Sequence, residues 1–312
     1  MKFRTEVEIN QEFELSPQGS MLAVGSCFAD RVGGNLSDKG LNVLVNPFGV
    51  IYNPVSLAEN LMCSITGSGC SGSWEEQNGN FVNLMYHGSL SRNNLDEARS
   101  NALKLHGEIK DYLKSAELLI VTWGTAFGYE EIKSGRIVTN CHRFSSDRFK
   151  RRMLSQKEMI SCWKSLLEKC FEINPKLKVV LTVSPVRHVR DSLVQNQLSK
   201  SALHVAAHEL KESFENIHYF PSYEIMMDDL RDYRFYEENL VQPNSQALSY
   251  IIEKFQQFCF SKALLEYWQE AEAILRLVSH KVKNNDSSSE KFVADREVKV
   301  KEFRQRFPFT RL

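Results

Sequence analysis

Four short, near-continuous apolar runs constrain this chain most: MLAVG (21–25), ELLIVTWG (117–124), KVVLTVSPV (178–186) and IHYFPSYEI (217–225). A strand that is apolar at nearly every position has no face to give to water, so such runs read as strands covered on both sides. Between them lie longer stretches of helical period at 54–65, 95–116, 155–173 and 196–214. Strands alternating with helices predict an α/β protein, a three-layer α/β/α sandwich around a central parallel sheet. The Gly/Ser-rich segment 66–80 reads as a loop. After LVQPNSQALSYIIEKFQQF (240–258) the chain runs helical to about residue 283, crosses the polar linker KNNDSSSEK and ends in the charged tail RQRFPFTRL.

At 312 residues the chain buries a sizeable core, as one large domain or one domain with an appendage. Lys+Arg and Asp+Glu both total 39, which gives no electrostatic case for nucleic acid or an anionic membrane as partner. No apolar stretch approaches the roughly eighteen residues that span a bilayer, and the first residues lack the apolar core of a secretory signal. Seven cysteines without a CxxC pair read neither as a disulfide framework nor as a zinc site. A reduced, cytoplasmic setting with no metal or cofactor is expected, and no feature fixes an oligomeric state.

In a parallel sheet, ligands gather beyond the carboxyl ends of the strands. Four segments fall there: GSCF after the first run, WGTAFGY (123–129) after the second, SPVRH (184–188) after the third, and the residues following PSYEI. In the first, Ser26 and Cys27 stand on a strand-to-helix turn, where helix N–H groups favour an oxyanion. The alternative is that Ser26 is a helix N-cap and Cys27 a small buried hydrophobe. His204 and His208 sit one helical turn apart, at metal-ligand spacing, but without the glutamate of a zinc-hydrolase helix they read as an ordinary pair.

GSCFAD (25–30), NPFGVIYNP (46–54), TWGTAFGY, TNCHR (139–143), SPVRH and LRDYRFY (230–236) occur in that order, and together they resemble the GSCFA family. That family is similar to the SGNH, or GDSL-like, ester hydrolases. The resemblance covers roughly residues 1–260 and leaves 261–312 as a helical C-terminal extension. It implies an SGNH/flavodoxin-like sandwich and an acyl-ester hydrolase or acyltransferase acting on a small-molecule ester or acylated sugar. Gly25-Ser26-Cys27 places Cys27 at the nucleophile register with Ser26 one place before it. A thiolate is the better nucleophile where a helix N-terminus lowers its pKa. Gly49 takes the second-block glycine position. Gly124-Thr125-Ala126 fills the third block without the usual Asn, so the Thr125 hydroxyl or the Asn140 amide is the substitute.

The fourth block departs from the pattern. Where the family reads Asp-x-x-His-Pro, this chain reads Asn239-Leu240-Val241-Gln242-Pro243, and amides take no proton at neutral pH. Losing such a base costs on the order of several powers of ten in turnover. Either another histidine supplies the base or the protein is a silent, ligand-binding member. His142 and His188 are the candidate bases and His87 a further family position. Arg187 and Arg190 either bind an anionic substrate group or pair with Asp191. A third reading is a scaffold acting through the C-terminal tail.

Overall fold

The computed structural model describes residues 4–67, 74–280 and 287–312. Its centre is a five-stranded sheet of β1 (Met21–Gly25), β2 (Val43–Val45), β3 (Leu118–Trp123), β4 (Lys178–Val183) and β5 (Ile217–Tyr219). The spatial order is β5-β4-β3-β1-β2, and every pair is parallel. The alternation of side chains sorts each strand between two cores. Leu22, Val24, Leu119, Val121, Val179 and Leu181 face one, while Met21, Ala23, Leu118, Ile120 and Val180 face the other.

The first core is covered by α2 (Pro54–Thr66), α3 (Leu95–Ser115), α4 (Gln156–Ile173) and α5 (Leu193–Ser213). The second is covered by α1 (Cys27–Asp38), α6 (Ser245–Cys259), α7 (Lys262–Ser279) and α8 (Ser287–Arg306). The expected three-layer parallel sandwich is therefore the observed fold. Among the described residues, no helix is long and apolar enough to cross a membrane.

Three local readings differ from the structure. The three-residue β2 is too short to stand out as an apolar run. The last run is strand only to Tyr219, because Pro221 cannot extend a ladder and Ser222–Glu224 turns helical. Of the expected loop 66–80, residues 68–73 lie outside the described residues, and Trp74–Gln77 pairs with Asn80–Asn83 as a hairpin.

The segment beyond residue 260 packs onto the second core. Of the expected linker, 281–286 lie outside the described residues, while Ser287 already opens α8. Tyr267 collects the rings of Phe303, Phe307 and Phe309, and its hydroxyl donates to the Lys39 carbonyl at the end of α1 (2.6 Å). The Arg311 N–H donates to the Gly40 carbonyl at 2.9 Å.

Candidate active site

The turn after β1 is built for close approach. Gly25 has φ +129°, and a Cβ there would lie 2.1 Å from the Thr122 carbonyl of β3, so only glycine lets the two strands stay paired. The Ser26 N–H donates to that same carbonyl at 2.9 Å. Ser26 is buried and caps α1, its Oγ accepting from the Phe28 N–H at 3.3 Å. Cys27 follows as the first residue of α1, half-buried and unpaired with any other cysteine.

Asn46, just after β2, locks this turn. Its Oδ1 accepts from the Gly25 N–H (2.8 Å), and its Nδ2 donates to the Asp30 carboxylate (2.6 Å) and the Ser26 carbonyl (3.4 Å). The following loop brings Tyr52 over the end of β3, where its carbonyl accepts from both the Gly124 (2.9 Å) and Thr125 (3.1 Å) N–H groups. These two amides are thereby committed within the fold. The Thr125 hydroxyl accepts from Phe127 N–H (3.0 Å) and lies 3.1 Å from Ser199 Oγ.

Lys200 enters from α5. It is wholly buried, and its Nζ donates to the carbonyls of Gly124 and Ser184, both at 2.7 Å, at the ends of β3 and β4. A Cβ built on Gly124 would lie 3.2 Å from the Ser26 Cβ, which puts this amine under the turn that carries Cys27. Burial draws Lys200 down to about 7, with Cys27 pulling the other way. Burial and then Asp30 push the Cys27 thiol up, against the opposing pull of Arg31, Lys200 and its own N–H. The helix N-terminus alone favours a thiolate, but desolvation outweighs it here, and Cys27 rests as the thiol.

His188 completes this group. Both ring nitrogens are buried without a hydrogen-bond partner, although the side chain as a whole is 22% exposed. Its Nδ1 lies 3.8 Å from Asp191, whose two oxygens each accept from Arg151 at 2.6 Å. Burial lowers His188 to about 4; Lys200 and Arg151 lower it further and Asp191 opposes them. Arg151 thus takes the carboxylate considered for Arg187 and Arg190. The Arg187 guanidinium instead lies 5.6 Å from the Tyr236 ring centre, and Arg190 donates to the Tyr129 hydroxyl.

A second group forms beside the same loop. Gly49 has φ +75°, and a Cβ there would lie 2.6 Å from the His87 side chain. His142 Nε2 meets the carbonyls of Asn83 (2.8 Å) and Tyr86 (3.1 Å), which commits that nitrogen to the fold. The Asn140 Oδ1 accepts from the His142 N–H at 2.9 Å. Gly49, His87, Asn140 and His142 are therefore neighbours, and the Gly49 N–H donates to the carbonyl of Asn46 at 2.7 Å.

The late turn lies at the same end of the sheet as Cys27. Arg31 of α1 donates to Gln242 Oε1 (3.4 Å), pairs with Glu237 (3.1 Å) and also reaches the Pro243 carbonyl. The Arg187 N–H donates to the Val241 carbonyl at 3.1 Å. Asn239 caps its own turn, accepting from the N–H groups of Val241 and Gln242 at 3.0 Å each. Both amides are thus tied to the turn and to Arg31. His204 and His208 have local partners: His204 Nδ1 lies 2.6 Å from the Lys200 carbonyl, and His208 packs on Tyr219. Among the described residues, no three His, Cys, Asp or Glu side chains gather as a metal site.

Sequence reasoning missed Lys200, Asn46 and Tyr52. One signal for Lys200 was present: it lies on the stripe Asn196, Ser199, Leu203, Ala206, Ala207 and Leu210, all buried. A lysine in such a row is a solvation anomaly.

These features define an α/β protein that places a thiol, an amine and an imidazole beyond the carboxyl ends of a parallel sheet. The GSCFA family model matches residues 20–255, and the chain belongs to the GSCFA family. Among solved structures, an acetyl xylan esterase (Est2A) from the rumen bacterium Butyrivibrio proteoclasticus is similar over 78% of this chain, at 11% identity and a TM-score of 0.31. This chain spans 66% of that protein's chain, just under two thirds. No curated protein matches it.

Proposed function

We propose that this GSCFA protein is an SGNH-like ester hydrolase or acyltransferase with Cys27 as nucleophile, acting on small acyl esters, acetylated sugars among them. One observation carries the reading: the Gly25-Ser26 turn presents a half-buried thiol at the first position of α1, beside Lys200. The sulphur attacks the acyl carbon, the alcohol departs, and water or a second alcohol resolves the thioester. The Cys27 N–H, which has no intrahelical partner at this position, is the donor nearest the developing oxyanion. Ser26 serves as the cap of α1, and it is buried.

A second reading has its own support. Asn239 and Gln242 are tied into the turn, and neither is ionisable, which favours a silent member that keeps the pocket and binds its ligand without turnover. Hydrolysis of p-nitrophenyl acetate and naphthyl acetate separates the two. The hydrolase reading expects Cys27→Ala to lower turnover at least about a thousandfold. Ser26→Ala loses about 1 kcal/mol of helix capping and keeps most activity. Wild-type turnover no greater than that of heat-inactivated protein establishes the silent reading, and acetylated sugars are the next substrates for an active enzyme.

A further inference from the structure

The hydrolase reading leaves the base unassigned, because the fourth block holds two amides and His142 points Nε2 at two carbonyls, where it donates and takes no proton. We infer that Lys200 is the general base that takes the proton of Cys27. The inference rests on the hydrolase reading for its chemistry but on separate geometry.

An ammonium has three N–H donors, whereas a neutral amine has two donors and one lone pair. The structure offers Lys200 two acceptors, the carbonyls of Gly124 and Ser184, each at 2.7 Å. No carboxylate pairs with it among the described residues, and the centre of the Tyr223 ring lies 5.9 Å from Nζ. The pocket therefore satisfies the neutral form completely and leaves its lone pair unspent. A buried ammonium there would have neither a third acceptor nor a counter-ion. Both acceptors sit at the ends of β3 and β4, and Gly124 in turn abuts Ser26, which places the amine next to the turn that carries Cys27.

The competing base is His188, which lies in the same electrostatic neighbourhood. A base works best when its pKa is near the working pH. His188 is drawn down to about 4 and Lys200 to about 7, a difference of about a thousandfold in proton affinity that favours the amine. The other charged or titratable groups facing the pair are Asp30 and Arg31 on α1, Tyr52 on the loop, Tyr223, and the Arg151–Asp191 pair behind His188.

The step balances. As the S–C bond forms, the thiol proton passes to Lys200 Nζ. As the ester C–O bond breaks, the ammonium returns that proton to the departing alkoxide. In the second half, Lys200 takes a proton from water, hydroxide attacks the thioester, and the ammonium protonates the leaving Cys27 sulphur.

The test reads the proton transfer without turnover. The full-length protein is alkylated with iodoacetamide from pH 5 to 10, and the Cys27 peptide is quantified by mass spectrometry in wild type, Lys200→Met and Lys200→Arg. Wild type is expected to show an inflection near neutrality. Lys200→Met is expected to lose it and to react at least about tenfold more slowly at pH 7.5, and Lys200→Arg, with a fixed charge, to lose it too. Because a buried substitution can prevent folding, the Cε resonances of ¹³C-lysine-labelled wild type provide a second measurement. One lysine should titrate near neutrality, with its midpoint displaced in Cys27→Ala. An unchanged alkylation profile in Lys200→Met, an inflection lost in His188→Gln but kept in Lys200→Met, or no lysine titrating below pH 9 would overturn the assignment. A Lys200-dependent profile without ester turnover sinks the hydrolase reading and keeps the pair. Cys27-dependent turnover with a profile blind to Lys200 does the reverse.

Discussion

Two histidines, the buried His106 on α3 and the half-buried His188 in the segment after β4, share one electrostatic fate and differ in almost everything else. Burial lowers each to about 4. The His106 ring is saturated: Ser64 Oγ lies 2.7 Å from Nδ1, the Tyr86 hydroxyl 2.8 Å from Nε2, and Phe48 packs beside it. The His188 ring has neither nitrogen satisfied. The depressed basicity is thus no guide to role. Unspent hydrogen-bonding capacity is the better one, because a fold that served only stability would have filled or removed it. His106 belongs to the architecture, whereas the His188 ring keeps two nitrogens to which the fold gives no partner.

The comparison breaks most readily at His106. Replacing it by Ala leaves a cavity and removes the ring to which Ser64 and Tyr86 bond, so His106→Ala should lower unfolding free energy by about 4 kcal/mol in urea titrations, while Cys27 alkylation in the folded protein changes less than about twofold. An equal loss of alkylation would join the two regions that the comparison separates.

Next in size is the pH dependence. Both folded-state values lie below the ordinary 6.5, so on acidification the unfolded chain takes up protons before the folded one. The two histidines should therefore make stability fall between pH 6.5 and about 4, by about 3 kcal/mol for His106 alone. Urea midpoints across that range should show a shallower fall in His106→Ala than in wild type, and parallel curves would refute this cause.

Smaller, and opposite in sign to the first, is the expected effect of His188→Leu. Removing two unsatisfied nitrogens should raise stability by about 1 kcal/mol and lower ester turnover about tenfold. A destabilisation matching that of His106→Ala would show that the fold depends on the imidazole after all. The smallest effect belongs to the late turn. Asn239→Asp keeps an acceptor for the Val241 and Gln242 N–H groups, so the unfolding midpoint should move by less than about 0.5 kcal/mol. Paired with Gln242→His, it should raise turnover if the turn lends the cleft a base.

The layers of the fold were legible because β1, β3 and β4 are buried on both faces and leave unbroken apolar runs. β2 was not, since three residues between Asn42 and Asn46 carry too little pattern. The turn at Gly25 was legible for a local reason: glycine, cap and helix are contiguous. The rest of the site was not, because its partners arrive from far along the chain. Lys200 is tied to Gly124 and Ser184, 76 and 16 residues away. The acceptors that spend His142 lie 59 and 56 residues upstream. Nothing in SPVRH or TNCHR separates one histidine from the other.

The position of β1 has a cost in time. It is the first strand made and lies inside the sheet, and its inner neighbour β3 begins only at Leu118, paired with Met21. Closing so wide a loop is entropically slow, and parallel pairing offers no hairpin shortcut. Until β3 docks, MLAVG exposes a bare apolar edge, the kind of template on which nascent chains coalesce. The same segment that delivers the thiol is therefore the one whose late completion makes folding vulnerable to aggregation.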